Sequence, residues 1–356
     1  MSSTQSKFPS ASREDWHALV SAALKGGDPQ SLDRLDEDGL AIKALYDIAS
    51  YAAASPDACA ITRLPVNPAS HIAHGWDICQ PVMADGSAKD INRLILDELQ
   101  DGVGKIWLQG LQTADLAGRL PAMMQDVVFA AAGIHLDASN DVMAQIAAFA
   151  DLAKKADTNL AASRFHANID PFAPAADADL VASALAYFMS ADAGDVPPDM
   201  FRAQGWQWHN QGMTAVQELA YILASLTEIL RQGMARNIDP AHLAKHMSAS
   251  LALPADLFEG IAKCRALRRC WGAIVSAFGL DPDAHRLCIH GAVSIRMFST
   301  VDSEVNMLRT TTALLVGAIG GADQLSAHAH NCLTGDDFLG RRLARMQQHL
   351  LIDESG

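Results

Sequence analysis

Apolar residues recur along this chain in two alternating rhythms. From Arg13, the stretch EDWHALVSAALKG sets Trp16, Leu19, Val20, Ala23 and Leu24 at helical spacing, and Gly26-Gly27 ends the run. DEDGLAIKALYD then reads as a hairpin or short extended piece that turns at Asp38-Gly39. Residues 50–73 carry Pro56, Pro65 and Pro68 and read as an extended connector. Residues 1–73 are therefore expected to form an N-terminal arm and connector, too small to enclose a core of its own.

From residue 74 to 356 the rhythm becomes regular. Short apolar runs (WDICQPV, KIWLQGL, the region reached through DVVFAAAG, LAASRFHANIDP, MFRAQGW, HMSASLAL, RLCIHGAVS and DQLSAHAHN) alternate with stretches of helical period. Several of those stretches stop at glycine, as at Gly102, Gly279 and the pair Gly320-Gly321. Strand–helix alternation without hairpin signals implies parallel strands joined by helical crossovers. The fold class expected is α/β, a (β/α)₈ TIM barrel with an N-terminal helical and extended arm. An open doubly wound sheet is the rival, but no GxGxxG or P-loop follows any strand. In a barrel the C-terminal strand ends face the mouth. That singles out Cys79 and Pro81, Trp206 to His209, His290 and Ser294, and His328 and His330.

Composition narrows the partners. Of 356 residues half are hydrophobic and 19% charged, which suits a globular protein with a substantial core. A formal net charge of −14 argues against a nucleic-acid or anionic-membrane surface. Cys59, Cys79, Cys264, Cys270, Cys288 and Cys332 show no CxxC pair, a pattern that fits reduced thiols in a cytoplasm. The N-terminus has no hydrophobic signal core, and the best apolar run, Leu314 to Gly321, is far short of the ~20 residues of a membrane span. A cytoplasmic location is expected.

The rhythmic segments also carry a family likeness. TAVQELAYILASLTEILRQG resembles a helix of the methylmalonyl-CoA mutases, and EVNMLRTTTALLVGAIGGADQL resembles their N-x-x-R-T-T run. GWDICQP sits where that family has PWTIRQY, and DWHALVSAALKG with DGLAIKALYD matches its arm. The resemblance runs from about Arg13 to Leu351, specific between Gly212 and Asn331 and weaker between Lys105 and Asp195.

Its departures are informative. Catalytic members carry an Arg and a Tyr on the first strand that contact the acyl-CoA; Cys79 and Pro81 stand there, and neither can replace them. Where the family has SGYHMQEAG, with a His that polarises the thioester, this chain reads QGWQWHNQG, which puts Trp206 and Gln207 at the Tyr and His. Cys288 takes the place of a seventh-strand Arg. The family's radical rearrangement asks the protein to anchor the acid, polarise the thioester and exclude water, so these losses imply a chain without catalytic residues. The family also ends in a cobalamin-binding domain with a D-x-H-x-x-G loop. No such domain is expected within 356 residues, and Asp283-Ala-His285 lacks the glycine, Cys288 standing in its place.

The resemblance thus implies a small, non-catalytic subunit. It would pair in a heterodimer with a large catalytic mutase subunit, which would hold adenosylcobalamin and interconvert methylmalonyl-CoA and succinyl-CoA. This chain would need no cofactor, would bind acyl-CoA weakly if at all, and would meet neither nucleic acid nor membrane. The rival is a barrel enzyme or acyl-CoA-binding protein in which His209, His290 and His328 work at an altered mouth, with a His-ligated metal as one form of it. Trp206 and Trp208 are expected to fill the mouth, Trp16 and Trp271 to act as packing anchors, and Arg265, Arg268 and Arg269 to form a solvated face. An Arg and a His converging on an open axial channel would overturn the silent-subunit reading.

Overall fold

The computed structural model describes residues 11–47, 50, 75–112, 115–137, 142–173 and 178–355. The chain divides into two units, Met1–Ala60 and Ile61–Gly356. Of the connector expected at 50–73, only Ser50 falls within the described residues.

In the first unit a helix spans Arg13–Ala23. Ser12 and Asp15 begin it with a reciprocal cap in which each side chain accepts from the other's backbone N–H. Gly26, at φ +91°, sits just past its end. Arg34–Leu35 pairs antiparallel with Ala41–Ile42 around the Asp38-Gly39 turn, the expected hairpin. No residue of the helix is buried, and Leu19 and Leu35 are 72% and 70% exposed.

The second unit is a closed parallel barrel of eight strands: β1 (Asp77–Met83), β2 (Lys105–Gln109), β3 (Gly133–Leu136), β4 (Phe165–Ile169), β5 (Asp199–Gln204), β6 (Met247–Leu253), β7 (Cys288–Val293) and β8 (Gln324–Ser326). Neighbours in sequence pair in order, and β8 closes the cylinder against β1. The outward positions, such as Ile78, Ile106, Ile134, Leu251, Ile289 and Leu325, join the apolar core beneath the helices. Strand alternation then sends Asp77, Cys79, Lys105, Trp107, His135, Ser248, Ser250, His290 and Ser326 to the axis. The axis is consequently far more polar than the shell around it.

The helices form where caps and apolar stripes agree. Thr214 and Gln217 make a capping box at the start of Ala215–Ala235, and Asp256 caps Leu257–Ala277. The double-glycine stop has two separate jobs. Gly321 takes the left-handed turn (φ +83°) that ends Val305–Gly320, whereas a Cβ on Gly320 would come within 2.7 Å of Cys264 Cβ on the neighbouring helix. The last helix, Phe338–Ser355, is tied to the first crossover helix, Ala88–Gln100, by the Arg345 ion pair to buried Glu98. Trp76 Nε1 also donates to Gln348 on that last helix at 3.0 Å. Among the described residues, no helix is long and apolar enough to cross a membrane.

Candidate functional site

The singled-out residues do not form one cluster. Cys79 lies inside the barrel, and burial pushes its thiol up to about 11, so it is neutral and unreactive. Pro81 pairs in register with Trp107 and lines a cavity of about 170 Å³ at the mouth, together with Gln109, His328 and Arg341. Cys288 opens β7 at its N-terminal end, away from the mouth, where it accepts from Gln324 Nε2 at 3.3 Å. Strand β5 stops at Gln204, and GWQWHN is a short helix, Gly205–Asn210, rather than a strand end. Trp206 and Gln207 therefore sit on a cap laid across the cylinder's end. Strand β8 is likewise only three residues long, leaving His328 and His330 in the loop beyond it.

Trp206 and His328 close the mouth together. Their rings stack at 5.5 Å and 9°, and Trp107 meets both edge-on at 5.0 and 5.7 Å. Trp206 Nε1 donates to Val293 O at 2.9 Å, which pins the indole to the end of β7. Trp107 Nε1 donates to Asp137 at 2.6 Å. Burial pushes the Asp137 carboxyl up to about 6, against the lowering effect of Trp107 and the Gly110 N–H.

Below this lid lies a network that contains His290 and Cys79 but centres on residues the sequence does not single out. Arg202 from β5, 1% exposed, donates to Asp199 at 3.1 Å, Ser248 Oγ at 2.9 Å, His135 Nδ1 at 2.7 Å and His290 Nδ1 at 3.1 Å. His290 Nε2 bonds Ser326 Oγ at 2.7 Å, and Ser326 in turn donates to Cys79 O. His166 Nδ1 stands 2.8 Å from Asp199 Oδ2. Nearer the bottom, Asp77 takes Lys105 at 3.3 Å and Arg164 at 2.9 Å. An arginine and histidines do converge on the axis, but they are buried under the lid and bonded to one another. Four of the guanidinium's five N–H donors are spent on the protein's own groups.

The electrostatics follow from burial. It holds His135 and His290 well below the ordinary histidine range, reinforced by neighbouring cationic and imidazole groups, and it lowers His328 to about 4. His166 falls to about 4 because burial outweighs the pull of Asp199. Burial opposes ionisation of Asp199 too, but His166, Arg202 and Lys105 overcome it and keep the carboxyl well below its usual range.

His209 belongs to a second set. Its Nε2 is 3.0 Å from Ser294 Oγ and its Nδ1 is 3.4 Å from Glu218, which also holds Lys263 at 2.7 Å and the Ala252 N–H at 2.7 Å. His209, His290 and His328 are thus engaged separately, and among the described residues no group of three His, Cys, Asp or Glu side chains could hold a metal. The Asp283–His285 segment does not offer a cobalamin loop. His285 Nδ1 turns back onto Asp281 O at 3.0 Å, and Cys288, at the loop's glycine position, is part of β7. Arg268 departs from the expected solvated face: it is half-buried, donating to Leu287 O and pairing with Asp323 at 2.8 Å. Trp271 is a packing anchor, 2% exposed, with Nε1 donating to His285 O.

Comparison with known proteins decides the lineage. A family model described as "Methylmalonyl-CoA mutase" matches residues 167–356, more than half the chain. This chain belongs to the methylmalonyl-CoA mutase family. It is 30% identical over 355 residues to the "Probable methylmalonyl-CoA mutase small subunit" of Mycobacterium tuberculosis (strain ATCC 25618 / H37Rv), covering 94% of this chain and 56% of that protein. The methylmalonyl-CoA mutase small subunit of Streptomyces virginiae is 29% identical, over 99% of this chain and 59% of its own length. The methylmalonyl-CoA mutase of Escherichia coli (strain K12) matches over 154 residues only, at 30% identity, or 42% of this chain and 21% of that one. The chain spans a little over half the length of the small-subunit relatives it matches.

Proposed function

We propose that this chain is a non-catalytic small subunit of an adenosylcobalamin-dependent methylmalonyl-CoA mutase. Its partner is a larger catalytic subunit that holds the cobalamin and interconverts methylmalonyl-CoA and succinyl-CoA. One observation carries the reading: the barrel axis, where the family's substrate chemistry takes place, is filled by the chain's own side chains. Arg202 is neutralised by Asp199, and Trp107, Trp206 and His328 roof the space above it. A thioester radical rearrangement needs an open, dry channel with donors left free for substrate. The likeness to small-subunit relatives supports the same reading.

The arm of residues 1–73 is proposed as part of the partner interface, together with outer barrel helices. The exposure of Leu19, Leu35 and Tyr46 within the first unit supports this, because large apolar side chains left exposed on so small a unit favour a covering surface. The acyl-CoA-binding alternative has the mouth cavity of about 170 Å³ in its favour. Pockets for drug-sized ligands start at roughly 300 Å³, so that cavity is too small for a CoA ester.

The test is to purify this chain alone and together with the large subunit, then assay isomerisation of methylmalonyl-CoA with added adenosylcobalamin. A stable complex that turns over, beside an inactive lone chain, is the expected pair of results. Turnover by the lone polypeptide, or no complex with the large subunit, would sink the assignment.

A further inference from the structure

An outer barrel helix buries one face on the strands and gives the other to water, so its outward positions are ordinarily polar. The first crossover helix, Ala88–Gln100, follows that rule: Ile91 and Ile95 are buried, whereas Lys89, Arg93, Asp97 and Gln100 are exposed. The last helices break it. On Val305–Gly320 the inward face is filled by Ala313, Leu314 and Val316. Leu308 is nevertheless 70% exposed, and exposed Ile319 and half-buried Leu315 share its side of the helix. Phe338–Ser355 has the same construction. Leu339 and Leu350 are 57% and 54% exposed, and exposed Met346 and half-buried Leu343 complete a row at helical spacing. The two helices are neighbours, joined by Gln347 Nε2, which donates to Met307 O at 2.8 Å and Thr311 Oγ1 at 2.9 Å.

The charge on this side is as unusual as its apolarity. The chain holds 41 Asp and Glu against 27 Lys and Arg, but residues 261–277, 305–320 and 338–352 contain no carboxylate side chain. Their cations fall into two sets. Lys263, Arg268, Arg341 and Arg345 pair with Glu218, Asp323, Asp336 and Glu98. Arg265, Arg269 and Arg342 are exposed on the outer surface. Val305–Gly320 packs between Leu257–Ala277 and Phe338–Ser355, so its apolar row has exposed arginines on both sides.

These two features together select an occupant. An isologous pair of these chains would lay the face on itself, so the arginines of one copy would meet helices that offer no carboxylate. A protein face with apolar side chains at its centre and Asp or Glu around them is the complement. We propose that the outward side of the last three barrel helices is a docking surface for such an acidic-rimmed apolar face, carried by the large catalytic subunit. The partner's identity rests on the small-subunit reading, whereas the surface is set by this chain's own residues. Leu308, Ile319 and Met346 become buried on contact, and Arg265, Arg269 and Arg342 pair with carboxylates at the rim.

The intact chain and the large subunit, mixed and followed by sedimentation and hydrogen exchange, provide the test. Amide exchange in residues 257–277, 305–320 and 338–355 should slow in the complex, while residues 88–100 stay unchanged. Leu308→Glu, Met346→Glu and Arg342→Glu should each weaken the complex roughly tenfold or more, with Arg93→Glu as the neutral control. All three positions are exposed, so the variants should fold; if one does not, the wild-type exchange pattern decides. A wild-type complex that protects other helices instead, or that tolerates all three substitutions, would overturn the docking surface and leave the small-subunit reading standing. No complex at all would overturn both. Self-association of the lone chain that these substitutions abolish would assign the face to a second copy. Binding to phosphatidylserine vesicles that they abolish would assign it to a membrane, and either result overturns the proposal.

Discussion

At the scale of single residues, Arg202 determines the character of the barrel interior. A buried guanidinium is tolerable only when paired and hydrogen-bonded, and here one carboxylate, one hydroxyl and two imidazoles take four of its five N–H donors. Removing it leaves Asp199 buried without its contacting cation, with His166 beside it and only the field of Lys105 to offset its charge. Arg202→Met is expected to cost about 3–5 kcal/mol of stability, the usual range for breaking one side of a buried pair. Pairing it with Asp199→Leu should recover much of that loss, because no uncompensated charge then remains. Urea denaturation of the two single variants and the double variant checks the sign. If the double variant is as unstable as the two single losses added together, the residues act independently and the network account fails. Pair energetics of this kind also separate Arg202 from a substrate anchor, whose removal would relieve the fold of a free buried charge.

At the scale of elements, the short helix Gly205–Asn210 is what converts a barrel mouth into a lid. It turns directly off β5 because residue 205 has no side chain: a Cβ there would lie 2.5 Å from Ile222 Cδ1 and 2.7 Å from Ser250 O. Gly205→Ala should push the helix outward, unstack Trp206 from His328 and cost about 1–3 kcal/mol. Gly118→Ala, where a Cβ meets nothing within 4 Å, is the control and should be close to neutral. Near-UV circular dichroism and intrinsic tryptophan emission would report the unstacking, and an unchanged spectrum for the Gly205 variant would contradict it. This helix also stands where the sequence pattern suggests a strand end. QGWQWHN offers no periodicity long enough to separate strand from helix, and β5 pairs with β6 only as far as Gln204. Elsewhere the elements were legible, since runs such as FEGIAKCRALRRCWGAIVSAFG carry both an apolar stripe and a glycine stop. The axial network was legible only in part. Alternate polar residues inside apolar strands, as in KIWLQ and GIHL, point inward by strand period. Asp199 and Arg202, three apart, break that rule. The adjoining β4–β5 ladder shifts register between His166 and Ile169, where Asn168 takes φ +57°, and nothing in the sequence marks that irregularity.

At the scale of the whole molecule, the barrel interior couples stability to pH. His135, His166, His290 and His328 are all held neutral by burial, below their ordinary value of 6.5. Their folded-state values are depressed, so above pH 6.5 neither the folded nor the unfolded chain holds these protons and the barrel keeps its full stability. As pH falls through 6.5 the unfolded chain takes up protons that the folded one refuses, and stability declines with each step. For His166 and His328 the loss runs down to about pH 4, where the folded state protonates as well. Each histidine contributes up to about 1.4 kcal/mol per pH unit within its window. Asp137 works in the opposite direction: its carboxyl is raised to about 6, so the fold gains from that group as pH drops towards the ordinary carboxylate value. Glu98, Asp170 and Asp336 are raised by burial in the same direction. Against them, His246 is lowered with the four imidazoles, and Asp199 and Glu218 are held below the carboxylate range. Acid therefore still removes stability from a domain with only about 5–15 kcal/mol in hand. The urea midpoint should therefore fall steeply between pH 6.5 and 5 while staying level between 7 and 8. A midpoint that holds constant down to pH 5 would mean that these rings already carry their protons in the folded barrel, and that the axis is wetter and more open than its packing implies.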